Sequence, residues 1–418
     1  MARIRPFRGL RPRNDLAQEV IAPPYDVLSE AEARALAADR PHSFLRVTRP
    51  EVDLPPSSNA HTAQAYAQAR RNLDQFIADS TLIHDPSPCL YLYRLTWRGR
   101  TQTGLMGLCA VADYDEGRIK RHELTRPDKE QDRVDHLQAL DAQTGLVFIT
   151  YRQHPELARA MDQAATAEPA WCVTTEDGVE HALTVISNSE HTAALIDAFA
   201  QCDALYIADG HHRSAAASRV AEARNSSGTS GWFLAGLFPD DQLQVLAYNR
   251  LVYDLAGLTP NAFLQALEAD FIRTSAPTPP VPTERATWTL YLDGRWHLLT
   301  VRPGRIPTDN PVASIDAALL QDRVFGPILG IEDPRTDARI SFVGGIRGHE
   351  ALRRAVDGGE AVAGFHLAPT GLDQLFAVAD AGLLMPPKST WFEPKLRGGV
   401  LVHRIITPTD AADEPDHG

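Results

Sequence analysis

Residues 203–224 read DALYIADGHHRSAAASRVAEAR, and the fold is read outward from them. Leu205 to Ala208 is a short apolar run of the kind that forms a buried strand. Asp209-Gly210-His211-His212-Arg213 is a polar turn. Ser214 to Arg224 is rich in Ala, Arg and Glu and predicts a helix. A strand, a glycine turn and a helix in that order aim the backbone N–H groups of a helix start at a bound anion. Gly210 allows close approach of the backbone, and Arg213 can grip two oxygens at once. The alternative is a capped strand-to-helix turn with exposed histidines.

Upstream, Pro23-Pro24 forces an extended entry, and Ser29 with Glu32 predicts a capping box on an Ala-rich helix. PHSFLRV (41–47) reads as a short strand, and 60–79 as a helix with Ala63, Tyr66, Ala67, Leu73, Phe76 and Ile77 on one face. Tyr91–Trp97 and Thr103–Tyr114 predict a hairpin around Arg98-Gly99-Arg100. A charged stretch, 119–143, ends in a helix; a strand at 145–151, a helix at 155–167, a hairpin at 170–187 and a helix at 190–201 lead into the opening stretch. Downstream, TSAPTPPVPTE (274–284) is the best linker or loop candidate. Strands are expected near 287–301, 340–344, 362–368 and 400–406, with helices near 313–325, 348–357 and 371–381. The fold class is α/β, with α+β as the alternative. The expected organisation is a core lobe at 1–255, a mixed α/β lobe at 256–409 carrying the PPKSTWFEPK loop, and a disordered tail at 410–418.

Composition narrows the function. The chain has 418 residues, 44% of them hydrophobic, and a net charge of −13. That charge argues against general nucleic-acid binding while leaving room for a local cationic pocket. No apolar run approaches the ~20 residues that span a bilayer. The start, MARIRPFRGLRP, lacks the apolar core of a signal peptide. Cys89, Cys109, Cys172 and Cys202 are scattered without a CxxC pair, which predicts free thiols and a cytoplasmic protein. The P-loop, GxGxxG, HExxH and GxSxG patterns are absent from the sequence.

Three further stretches carry chemistry-bearing residues. Lys120-Arg121-His122-Glu123, followed by Lys129, Glu130, Asp132 and Arg133, reads either as an acid/base pair beside cations or as a solvated face. Pro386 to Lys395, with Lys388 at one end and Lys395 at the other, reads either as a pocket wall or as a packed surface loop. Ala22 to Asp26 either lines a pocket with Tyr25 or is a structural turn.

Six separated motifs now carry a resemblance: IAPPYDVLS, PHSFL, KRHELTRPDKEQDR, YIADGHHRSAAA, FVGG and MPPKSTWFEPKLRGG. Together they resemble the bacterial domain-of-unknown-function family number 1015. The DGHHR turn alone is similar to the strand–Gly–His/Glu–Arg–helix signature of the ParB and sulfiredoxin superfamily. That similarity implies a ParB/sulfiredoxin-like nucleotide-binding core in which Gly210, His211, His212 and Arg213 contact phosphate, with Asp209 at the strand end. Sulfiredoxin's catalytic cysteine has no match, because His211 follows Gly210 directly, so sulfinic-acid repair is not expected. The free serine kinase branch fits best.

The expectation is a phosphotransferase working between a nucleotide, ATP or ADP with Mg²⁺, and a small hydroxylated metabolite, with free serine or phosphoserine foremost. Catalytic roles fall to Glu123, His122, His211, His212 and Asp209, and phosphate contacts to Gly210, His211, His212, Arg213, Arg121, Arg133, Lys388 and Lys395. Glu123 and Asp209 are the candidate Mg²⁺ ligands. A nucleotide-binding switch without turnover and a phosphoserine-type phosphatase are the rival readings.

Overall fold

The computed structural model describes residues 2–56, 58–276 and 278–406. Two compact units emerge. Unit 1 comprises residues 1–121, 125–243 and the returning segment from 394; unit 2 comprises 122–124 and 244–393. Compactness thus divides the chain differently from the expected 1–255 and 256–409. Residues 244–255 go with the later unit, and 394–406 go back to the first. The expected tail at 410–418 lies outside the described residues.

Unit 1 is built on a nine-stranded mixed sheet. Its main elements in chain order are β1 (Ile4–Arg5), α1 (Glu30–Ala37), α2 (Ala63–Ala78), β2 (Leu90–Trp97), β3 (Arg100–Ala110), β4 (Ile119–Lys120), α3 (Pro127–Leu140), β5 (Val147–Tyr151), α4 (Pro155–Ala164), β6 (Trp171–Thr174), β7 (Glu180–Ile186), α5 (Ser189–Ala200), β8 (Leu205–Asp209), α6 (His211–Ala223) and β9 (Trp232–Pro239). The strand order is β4-β8-β5-β9-β3-β2-β7-β6, and β1 pairs with β3 beyond the end of β2. β8 runs parallel to β4 and antiparallel to β5, while β9 runs parallel to β5. The central strands are buried on both faces, and on one of them Val147, Ile149, Ile207 and Phe233 share a core cluster with Leu157 of α4, Phe199 of α5 and Ala217 of α6.

Local rules explain most of these elements. Ser29 and Glu32 form the predicted capping box on α1. The β2–β3 hairpin turns through Arg98 and Gly99, both at positive φ. Other expectations yield to tertiary packing. PHSFLRV is not a strand: Leu45–Thr48 is a helical turn, with the Val47 and Thr48 amides bonded to the Phe44 carbonyl. Phe44, Leu45 and Val47 are all buried against Leu73 and Phe76 of α2, which an alternating strand could not achieve. On α2 the buried residues are Ala65, Tyr66, Ala69, Leu73 and Phe76, so Ala63 and Ala67 face outward. β3 ends at Ala110, and Val111–Asp115 is helical.

Unit 2 holds a six-stranded, wholly antiparallel sheet. Besides a helix at Pro260–Leu267, its main elements are β10 (Tyr248–Val252), β11 (Phe271–Ala276), β12 (Thr287–Leu292), β13 (Arg295–Val301), α7 (Asp316–Leu320), β14 (Ile340–Gly344), α8 (Gly348–Asp357), β15 (Ala363–Leu367) and α9 (Leu372–Asp380), with the strands in the order β11-β13-β12-β15-β10-β14. The stretch 278–284 is a loop inside this unit, between β11 and β12, and not a linker between units. Trp391–Glu393, expected in a loop, pairs with Gln244–Leu246. α7 continues into a π-helical turn at Gln321–Phe325.

Asp316, at the start of α7, is 5% exposed. Its Oδ1 accepts the Ala286 amide at 2.8 Å, and among the described residues its Oδ2 has no partner. Burial pushes this carboxyl up to about 6, against the opposing pulls of the Ala286 amide and Arg285. An acid raised in the folded state contributes full stability below its unfolded value, ~3.9, and loses it as pH rises through the folded one. Asp316→Asn is therefore expected to raise stability at pH 8 by about 2 kcal/mol while changing little at pH 4. Thermal unfolding at the two pH values checks this; a pH 8 midpoint no higher than the parent's would contradict it.

The four cysteines are free thiols, with Cys172 exposed and the others buried. Among the described residues, no helix is long and apolar enough to cross a membrane.

Candidate functional site

The turn from β8 into α6 is tighter than the sequence predicts. Gly210 alone makes it, at φ +100° and ψ 27°, and the helix starts at His211. A left-handed residue at this point is costly for anything but glycine. His211 and His212 thus occupy the first helical turn. No side chain caps α6, and the Arg213 and Ser214 amides bond to the Gly210 carbonyl at 2.9 and 3.0 Å.

Arg213 folds back over its own turn. A Cβ placed on Gly210 would lie 2.8 Å from Arg213 Nε and 2.9 Å from Nη2. On the other side, a Cβ on Gly145 would lie 3.3 Å from Arg213 Cδ and 3.4 Å from Nη1. The side chain therefore runs through a slot between two glycines, and it is 15% exposed. Arg213 Nη2 stands 3.9 Å from Asp209 Oδ1, and among the described residues Nε, itself buried, has no hydrogen-bond partner. Such a cation is held in place but only loosely neutralised.

Asp209 ends β8, and its Oδ2 accepts from Lys395 Nζ at 3.1 Å. Burial works to raise this carboxyl, but Lys395 and Arg213 outweigh it and hold it well below the usual carboxylate range. Lys395 reaches it from the returning segment of unit 1. That segment is pinned on both sides of the lysine: Pro394 accepts from Gln102 Nε2 at 3.4 Å, and the buried Arg397 binds Asp177, with Thr175 Oγ1 at 3.2 Å.

Beside Arg213 lies a second arginine. Arg133 of α3 gives Nε at 2.8 Å and Nη2 at 2.5 Å to Asp132 Oδ2, and its guanidinium lies 4.1 Å from the Tyr25 ring centroid. Asp132 also accepts from Tyr66 Oη at 2.8 Å and contacts His61 Nδ1. Burial raises the Tyr25 hydroxyl, with Arg133 and Arg213 pulling the other way. His136, one turn further along α3, donates through Nε2 to the Val47 carbonyl at 3.0 Å; burial, and then Arg133, hold its imidazole down at about 4.

Unit 1 thus brings Asp209, Gly210, His211, Arg213, Lys395 and Arg133 into one neighbourhood. The other expected residues are placed as follows. His212 Nε2 accepts the Arg126 amide at 3.0 Å, tying α6 to the entry of α3, so one of its two nitrogens has a structural task. Arg121 lies over the Tyr114 ring at 5.2 Å. His122 and Glu123 belong to unit 2, where the His122 carbonyl accepts the Met385 amide at 2.8 Å. Lys388 also belongs to unit 2, its Nζ 5.5 Å from the Tyr248 ring centroid and its carbonyl accepting from Arg250. Sequence reasoning missed Gly145 and His136. The only trace of Gly145 is a glycine just before an apolar run; His136 sits four residues after Asp132, on one face of a charged helix.

Residues 4–318 match the family described as a protein of unknown function, DUF1015. The FVGG and MPPKSTWFEPKLRGG motifs lie beyond the matched region. No curated protein matches the chain. Among solved structures, a free serine kinase in complex with AMP is 10% identical with a TM-score of 0.35, over 68% of this chain and 86% of that one. C-terminally truncated SbnI from Staphylococcus aureus is 11% identical with a TM-score of 0.38, over 74% and 90%. A conserved hypothetical protein from Pyrococcus furiosus is 11% identical with a TM-score of 0.33, over 69% and 90%. These are distant likenesses.

Proposed function

The chain belongs to the DUF1015 family, and from that premise we propose that its Asp209–Arg213 turn holds the phosphates of a nucleotide, ATP or ADP. A phosphoryl group then moves between that nucleotide and a small hydroxylated metabolite, with free serine or phosphoserine the proposed partner. The observation that carries this reading is Arg213: a guanidinium held over a glycine at a helix start that no side chain caps, short of a close partner. A phosphate there would meet the fork of Arg213, the ammonium of Lys395 and the positive pole of α6 together. Phosphoryl transfer needs little more from a protein than such positioning and charge.

Mg²⁺ fits the phosphates better than it fits Asp209. Oδ2 of Asp209 carries Lys395 and Oδ1 faces Arg213, so a metal ion on that carboxylate would compete with two cations. The ion would serve mainly to neutralise phosphate oxygens.

The test is incubation of the protein with Mg²⁺, ATP or ADP, and serine or phosphoserine, followed by phosphorus NMR. Interconversion that requires the nucleotide is expected. Nucleotide binding without transfer would instead favour a switch, and release of phosphate from phosphoserine alone a phosphatase. Absence of any nucleotide binding would remove the reading.

A further inference from the structure

Behind Arg213, inside unit 1, is a cavity of about 50 Å³. Its lining falls into a polar and an apolar group. Tyr25, Arg133, Arg213 and His136 supply polar groups, with Arg133 against the Tyr25 ring, and the apolar floor is Val147, Ala217 and Phe233, which share one core cluster, with Ala216 and Leu234. Among the described residues, no acidic side chain lines it.

The polar groups of the lining are unequally occupied. His136 is a neutral imidazole committed to the Val47 carbonyl. Gln143, also in the wall, spends its amide on the backbone of β9, giving Nε2 to the Trp232 carbonyl and accepting the Leu234 amide. Arg133 has committed Nε and Nη2 to Asp132, which leaves Nη1. Arg213 lays its Nη1 edge against Gly145, itself a lining residue. Two guanidinium groups therefore still offer donors to this space, whose lining also holds the Tyr25 and Thr144 hydroxyls.

We propose that this cavity takes a small organic carboxylate, its two oxygens between Arg133 and Arg213 and a short alkyl tail on the Ala217–Phe233 floor. At roughly 10–15 Å³ per water-sized occupant, the space admits about three to five non-hydrogen atoms; two are the carboxylate oxygens, so the chain has about two or three carbons. The apolar floor disfavours sulfate or inorganic phosphate, whose every face is polar. Two arginines with no carboxylate in the lining disfavour a cation or an amine. The site needs no nucleotide, although it shares Arg213 with the proposed phosphate cradle and uses the opposite edge of that side chain.

Titration of the protein with sodium propionate, without nucleotide, tests this by calorimetry and by the thermal unfolding midpoint. Binding on the order of 1 mM and a raised midpoint are expected, given so few ligand atoms. Propionamide, the neutral isostere, is expected to bind at least tenfold more weakly. Ala217→Leu, which fills the floor, is expected to weaken propionate at least tenfold. Should that variant fail to fold, the propionate–propionamide comparison on the parent decides alone. No effect of propionate, equal binding of propionamide, or parent-like affinity in Ala217→Leu would each overturn the proposal. A parallel ADP titration separates the two sites: ADP binding without propionate binding sinks the carboxylate site alone, and the reverse sinks the nucleotide reading alone.

Discussion

Arg213→Ala is expected to weaken ADP binding by about 100-fold or more, on the order of 3 kcal/mol. The argument rests on what Arg213 does without a ligand. It is buried in a slot between Gly145 and Gly210, 3.9 Å from the carboxylate of Asp209. Its conformational freedom is already spent in the free protein, so binding need not pay that cost again. The fold should survive the truncation, because Asp209 keeps Lys395 as its partner at 3.1 Å. Arg213→Lys is expected to restore only part of the affinity, since an ammonium keeps the charge and loses the two-pronged geometry. Calorimetric titration with ADP, beside a circular dichroism check of the fold, measures both. Parent-like affinity in Arg213→Ala would refute the cradle.

Gly210→Ala is expected to act through the same arginine. An alanine at φ +100° costs ~1–2 kcal/mol of stability from backbone strain alone. The added methyl would also come within 2.8 Å of Arg213 Nε. What it meets is the far end of a flexible side chain, so the guanidinium swings away and the fold holds. Affinity for ADP should then drop nearly as far as in Arg213→Ala, by about 30- to 100-fold. The double variant should lose little more than either single one, because both remove one interaction. Full additivity of the two losses would show that Gly210 and Arg213 act separately.

The sequence carried the site's centre and little of its surroundings. The apolar run 205–208, the glycine and the Ala-rich helix are local signals, and each appears where expected, with the helix starting three residues early because Gly210 turns the chain unaided. The capping box at Ser29 and the Arg98–Gly99 hairpin were legible for the same reason. What was hidden depends on partners distant in sequence. Nothing near Lys395 tells that it meets Asp209, 186 positions earlier. Nothing near His212 tells that one nitrogen is taken by the amide of Arg126. The Phe44–Val47 turn had the composition of a strand, and its helical form follows from the three side chains it must bury against α2.

The return of residues 394–406 to unit 1 has a consequence for biosynthesis. Unit 2 places 150 residues, 244–393, between β9 and the segment that carries Lys395. At ~5–20 residues per second, a ribosome needs roughly 8–30 s to cross that interval. Throughout it, the nascent sheet already holds Asp209 and Arg213 but lacks the lysine that shares the carboxylate. A ribosome stalled inside unit 2 would therefore present the turn with Asp209 facing Arg213 but not yet Lys395, and a quality-control protease would meet a first unit still missing its final strap.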